Sequence, residues 1–219
     1  MGRFACLPPG SGRYLVFLLV ETIGQNAARC GRFGKPPTVE YHRAMAISAF
    51  AVKVPSAEPL VADLRQRFDA TTKLGVPAHI TVLVPFMDAQ HITPAVLDRA
   101  RHALNRVAAF SFSLDRVARF PETAYLAPEP PEPFIAMTKA LVDAFPDFQP
   151  YGGEHEGVIP HLTVAHGNPL EADAAVAELQ GRLEASGKIQ ADCASVMLIE
   201  NSTGRWEEMH VFHLKQVDT

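Results

Sequence analysis

Runs of alternating, continuous and helically spaced apolar residues follow one another along this chain, and each change of period marks an element. Ala46 to Val54 is a continuous apolar run of strand type. Ser56 can then cap a helix to about Phe68, with Leu60, Leu64 and Phe68 on one face at i, i+4, i+8. A loop from Thr72 to Ala78 leads into a strand, His79 to Val84, that Pro85 is expected to stop. Thr93-Pro94 opens a second helix with Leu97, Ala100, Leu104 and Val107 inward. Phe110, Phe112 and Leu114 alternate with Ser111, Ser113 and Asp115, which predicts a half-buried strand with Thr123 to Leu126 antiparallel to it.

The second half repeats the theme. Phe134, Met137 or Thr138, Leu141 and Phe145 make a helical face that ends at Pro146. The glycine-rich loop Tyr151-Gly152-Gly153 leads to a strand, His161 to Ala165. After Pro169, Ala172, Val176, Leu179 and Leu183 trace a helix, with Gly187 as its C-cap. Val196 to Ile199 and Trp206 to Leu214 read as a closing strand pair around a turn at Asn201 to Gly204. The pattern is mixed α and β in two similar halves, as an internal duplication produces.

The halves share a short sentence: Val76-Pro77-Ala78-His79-Ile80-Thr81-Val82 and Val158-Ile159-Pro160-His161-Leu162-Thr163-Val164. Its two histidines stand 82 positions apart. On a strand, residues i and i+2 point to one face. His79 and Thr81 therefore share a face while Ile80 and Val82 face the core, and the second copy behaves alike. A polar pair aimed together from an apolar strand contributes little to stability. Two similar lobes about a pseudo-twofold axis would set the motif strands side by side, with a His and a Thr entering one cleft from each.

Such a cleft has a definite chemistry. With an unperturbed pKa of about 6.5, a neutral imidazole takes a proton and an imidazolium gives one near neutral pH. One ring can deprotonate an attacking hydroxyl while the other protonates a leaving oxygen. The two hydroxyls can bond the non-bridging oxygens as negative charge builds. These groups suffice for phosphodiester cleavage without a metal or other cofactor.

Composition narrows the field. The chain has 219 residues, enough for a sizeable core, with 47% hydrophobic and 20% charged residues, ordinary values for a soluble protein. Its net charge of -4 argues against coating duplex DNA, which needs a broad basic face. Cys6, Cys30 and Cys193 form no CxxC, so neither a disulfide framework nor a zinc ribbon is expected, and a reducing, cytoplasmic setting fits. Residues 1–44 are rich in Gly and Pro with no sustained period. Their one apolar run, Tyr14 to Val20, is too short to cross a bilayer. They are expected to form a poorly ordered extension before a single domain at 45–219, and no membrane association is expected.

The paired motifs resemble those of the 2H phosphoesterase superfamily, in particular its 2′-5′ RNA ligase-like branch. The likeness extends through Pro77 to Phe86, Tyr151-Gly152-Gly153, Val158 to Ala165, and Thr123-Ala124-Tyr125-Leu126-Ala127-Pro128. It implies an α+β, bilobal fold: two pseudo-symmetric β-sheet lobes with flanking helices and a central cleft. It further implies metal-free hydrolysis or transfer at 2′,3′-cyclic phosphates or 2′-5′ linkages of nucleotides or RNA ends. By position His79 matches the proton donor, His161 the acceptor, and Thr81 and Thr163 the phosphate-binding hydroxyls. Nothing else in the sequence separates the roles of the two imidazoles. A monomer is expected.

Other residues compete for attention. His91-Ile92-Thr93-Pro94 also spells His-x-Thr, but Thr93 before Pro94 is explained as a helix cap. Tyr125 and Phe86 could stack on a base, although core packing suits Phe86 better. Arg182, Arg205 and Lys188 read as surface charges. Two alternatives stand. One is a nucleotide or RNA-end binding module without turnover. The other is a metallohydrolase built on His155, His161 and His166 with Glu154 or Glu156, whose spacing matches no established metal motif.

Overall fold

The computed structural model describes residues 46–154 and 157–216. The reading of residues 1–44 as an extension, and those of His155 and Glu156, fall outside these. In chain order the described elements are β1 (Ser48–Lys53), α1 (Glu58–Phe68), β2 (His79–Phe86), α2 (Pro94–Leu104), β3 (Phe110–Phe120), β4 (Thr123–Glu129), α3 (Glu132–Ala144), β5 (Leu162–His166), α4 (Pro169–Ser186), β6 (Ile189–Cys193), β7 (Ser195–Glu200) and β8 (Glu207–His213).

The strands form two four-stranded antiparallel sheets, ordered β2-β1-β7-β8 and β5-β4-β3-β6. Each half begins strand, helix, motif strand, helix: β1-α1-β2-α2 and β4-α3-β5-α4. In each sheet the motif strand is the edge, beside the strand that opens its own half. The third position is exchanged. β3, which follows the first half, pairs with β4, whereas β7, which follows the second, pairs with β1. The fold is α+β and bilobal, with the pseudo-symmetry that the repeat predicted.

Helix ends show which local signals decide. Thr93 caps α2, its Oγ1 accepting from the Val96 amide at 3.4 Å, with Pro94 first in the helix. Asn168 Oδ1 caps α4, accepting from Leu170 and Glu171 at 2.9 and 3.1 Å. Gly187, at φ 79°, ends α4 with its amide on the Leu183 carbonyl. Ser56 is not the cap of α1: Pro55 starts a 3-10 turn, Pro55–Ala57, that places Ser56 inside it, and no side chain caps the helix. Nor does Pro85 stop β2, which runs to Phe86. An edge strand with irregular register there tolerates the missing N–H.

One apolar core joins the lobes. Phe50, Leu83 and Phe86 of the first sheet, Phe112, Leu126 and Leu162 of the second, and Leu64, Phe134 and Leu179 of the helices belong to a single cluster. Phe86 packs edge-on to Phe50 and Phe145 at 4.9 and 5.1 Å between centroids, so its role is packing. The helices cross over as well. α1 lies against β5 and α4, and α3 against β2 and α2. Arg182 is no simple surface charge. It reaches from α4 to α1, giving Nη1 to the Leu60 carbonyl and both terminal nitrogens to Asp63 at 2.6 Å, with Glu178 as a further partner. That guanidinium holds the Asp63 carboxyl at about 2.

Candidate active site

His79 opens β2, and His161 stands one residue before β5. Alternation works as the pattern requires. Ile80, Val82, Leu162 and Val164 are buried in the core, while His79, Thr81, His161 and Thr163 are half-buried on the opposite faces. Across the ladders, Lys53 opposes His79, Ala51 opposes Thr81, and Tyr125 opposes Thr163. Both motif strands bulge immediately after the threonine. Pairing steps from Thr81 to Leu83 over Val82, and from Thr163 to Ala165 over Val164. A bulge bends its strand and re-aims the side chains beside it. Here it occurs at the same place in both copies. The motif strands do not pair with one another. They are edges of different sheets, yet they touch.

The imidazoles are held alike. His79 Nδ1 donates to the Pro77 carbonyl at 2.8 Å, and His161 Nδ1 to the Ile159 carbonyl at 2.7 Å. A carbonyl can only accept, so in each ring the hydrogen sits on Nδ1 and Nε2 is left with its lone pair when the ring is neutral. Neither the Thr81 nor the Thr163 hydroxyl has a hydrogen-bond partner among the described residues. Two bases and two uncommitted hydroxyls thus lie on matching faces.

Burial sets the protonation state. His79 is lowered from 6.5 to about 4, first by desolvation and then by the Arg65 charge, against the opposing influence of its Pro77 bond and of Asp69. An imidazolium at His161 would lower it further, so the two rings sense each other. His161 is also lowered, by desolvation first; its Ile159 bond opposes this, and His166 adds to it. Both rings rest neutral at pH 7. An anion bound beside the rings would oppose this shift and favour a proton on one of them.

Aromatic rings surround the second motif. Tyr125, 6% exposed, stands 5.2 Å from the His161 ring and 4.5 Å from Phe120, which is itself 5.3 Å from His161. Tyr125 and Phe120 therefore pack around the His161 ring. The β5 bulge brings His166 level with Thr123, whose Oγ1 lies 2.7 Å from His166 Nδ1. The turn Pro150–Gly153 packs against β2, with Tyr151 at φ 52° ahead of Gly152 and Gly153 at 66° and 81°. Only glycine adopts such angles without strain, which explains the paired glycines. Burial raises the Tyr151 phenol to about 12.

Sequence reasoning missed Lys53, beside His79 and paired with Glu208 at 2.5 Å, because its polarity at a strand end looks like ordinary solvation. Among the described residues, no three His, Cys, Asp or Glu side chains are grouped to hold a metal ion. The metal set built on His155 rests on a residue outside those described. Among the same residues no helix is long and apolar enough to cross a membrane. His91 is exposed in a 3-10 turn, Ala89–His91.

Two antiparallel sheets that exchange strands, each with a His-x-Thr motif strand at one edge, make up the fold and the candidate site. The family model of the 2′-5′ RNA ligase superfamily matches residues 53–205, and the chain belongs to that superfamily. In fold it is similar to E. coli LigT: the complex with 3′-AMP is 13% identical, with a TM-score of 0.50 over 78% of this chain and 98% of that one. The NADP+ complex of the same protein is 14% identical over the same shares, again with a TM-score of 0.50. A crystal structure described as a phosphoesterase matches with the same score, identity and coverage. At such identity the likeness is one of fold. No curated protein matches the chain.

Proposed function

We propose that this protein is a metal-independent phosphoesterase acting on 2′,3′-cyclic phosphates or 2′-5′ phosphodiester bonds of nucleotides or RNA ends. The observation that carries the reading is the twin Nδ1–carbonyl bond, which leaves Nε2 of each ring as the basic nitrogen, with an unpartnered threonine hydroxyl two residues on. One neutral ring takes a proton from water as the water oxygen bonds to phosphorus. The bond from phosphorus to the 2′- or 3′-oxygen breaks, and that oxygen takes the proton carried on Nε2 of the other ring. In the order that the resemblance carries, His161 is the acceptor and His79 the donor. Thr81 and Thr163 donate to the non-bridging oxygens as charge accumulates, and Tyr125 packs against the nucleoside. The nucleotides in the LigT complexes are consistent with a ligand of this size and charge.

The test is incubation of the purified protein with nucleoside 2′,3′-cyclic phosphates and 2′-5′ dinucleotides, with and without EDTA. The expected product is a phosphomonoester, formed equally in both. Loss of activity in EDTA, with recovery on adding zinc or manganese, would favour the metallohydrolase. Calorimetric binding without any product would favour the binding module.

A further inference from the structure

The tripeptide before the first motif is held differently from its counterpart in the second. Every backbone polar group from Val76 to Ala78 is occupied. The Val76 amide donates to Thr71 O at 3.3 Å, and the Val76 carbonyl accepts from Arg65 Nη2 at 3.2 Å. The Pro77 carbonyl accepts from His79 Nδ1. The Ala78 amide donates to Glu58 Oε1 at 2.6 Å, and the Ala78 carbonyl accepts from Val54 N at 2.9 Å. Two of these partners, Glu58 and Arg65, are side chains of α1, two turns apart on one helix.

Arg65 is the unusual one. It is 2% exposed, among the largest fully buried side chains of the protein. Its Nε and Nη2 donate to Asp69 Oδ2 at 3.2 and 3.0 Å, and Asp69, 4% exposed, accepts through Oδ1 from the Thr71 amide and hydroxyl at 3.0 and 2.6 Å. A buried ion pair costs several kcal/mol of desolvation per ion, and an apolar pair of the same volume is often no less stable. Stability alone is a weak reason for this one. Its place is a better reason, because its third bond goes to the Val76 carbonyl, one peptide unit before the Pro77 carbonyl that holds His79. The second motif has no such cradle: the only side-chain bond to residues 158–160 among those described is that of His161 itself, and Ile159 is 57% exposed.

We infer that Arg65, neutralised by Asp69, is a positioning residue for His79: it clamps the Val76-Pro77 segment so that the Pro77 carbonyl holds the Nδ1–H tautomer and Nε2 stays directed at the reacting phosphate. The inference rests on the proposed role of His79. The charged and titratable groups that act on the ring are Arg65, Asp69 and His161; Lys53 stands opposite His79 on β1, and Glu58 at the start of α1 bonds the neighbouring Ala78 amide. Arg65 and Asp69 act on that ring with opposite sign. Removing each should therefore move it in opposite directions, which mere loosening of the loop would not do.

The experiment is a ¹⁵N NMR titration of the full-length protein and of the Arg65→Met and Asp69→Asn variants, with His161 as the internal reference. In the unaltered protein His79 is expected as the Nδ1–H tautomer at neutral pH. Arg65→Met should raise the His79 midpoint by roughly one unit and admit the Nε2–H tautomer, while Asp69→Asn lowers the midpoint. On a 2′,3′-cyclic phosphate, Arg65→Met should lose about tenfold in kcat with little change in KM, as loss of alignment does. Unchanged tautomer and midpoint in both variants, or a rise in both, would overturn the inference. Should Arg65→Met not fold, Asp69→Asn alone decides, since a rise there is incompatible with the clamp. Because tautomer and midpoint are read without turnover, an inactive protein with the expected titration would count against the proposed function and not against the clamp.

Discussion

The depressed pKa of His79 makes the fold sensitive to acid in a calculable way. The ring is at about 4 when folded and near 6.5 when the chain is unfolded. Between those values the unfolded chain binds the extra proton, so stability rises with pH there and is lost as pH falls from about 6.5 toward 4. At 1.36 kcal/mol per unit the full shift corresponds to about 3 kcal/mol, and partial solvent access to the ring makes this an upper figure. His79→Asn removes the titration while its side-chain amide can still donate to the Pro77 carbonyl. Urea unfolding at pH 7, 5.5 and 4.5 should show the unaltered protein losing up to about 2–3 kcal/mol more than the variant over that range. Parallel pH dependence in the two proteins would mean that the ring is solvated, and the account of its burial would fail.

Other outcomes follow from the same geometry. His79→Ala and His161→Ala should each reduce turnover by about 10² to 10⁴, and the double variant by far less than the product. Thr81→Val and Thr163→Val should cost about 1.5–3 kcal/mol in kcat/KM, with His91→Ala as the unaffected control. Thr138, 2% exposed on α3, gives its hydroxyl to the Val82 carbonyl at the first bulge at 2.8 Å. Thr138→Val strands that carbonyl and should destabilise the fold by about 1–3 kcal/mol in urea melts; a variant as stable as the parent would show that water replaces the bond. A protein lacking residues 1–44 should retain folding and turnover, and an insoluble or inactive product would reveal a structural role for Tyr14 to Val20.

What could be read from sequence was what short-range physics controls. The His-x-Thr strands declared themselves by period, and Thr93, Pro94 and Gly187 by cap chemistry. β6 escaped because it is short and carries Gln190 and Asp192 on its exposed side. The twin bulges escaped because Val82 and Val164 are good strand residues, and nothing local marks the unpaired one. The exchange of β3 and β7 is a choice of long-range partners that no window of sequence contains. Arg65 left a trace that was passed over. It stands at i+4 from Val61 and i−4 from Asp69, within the stripe that buries Leu64, and a charge inside an apolar stripe with its counterion one turn on is the signature of a buried pair.

The exchanged strands also bear on how the molecule comes apart. In topology it resembles a domain-swapped dimer whose two subunits have been fused, each wearing one strand of the other. Neither half keeps a complete sheet alone. Cut between β3 and β4, the first fragment keeps β1 and β2 without β7, and the second keeps β4 and β5 without β3. Two lobes that look separable should therefore melt in a single transition, and a protease nick in a surface loop should leave the pieces associated. The two motif histidines would then be lost together, at one temperature, even though they belong to different motif strands.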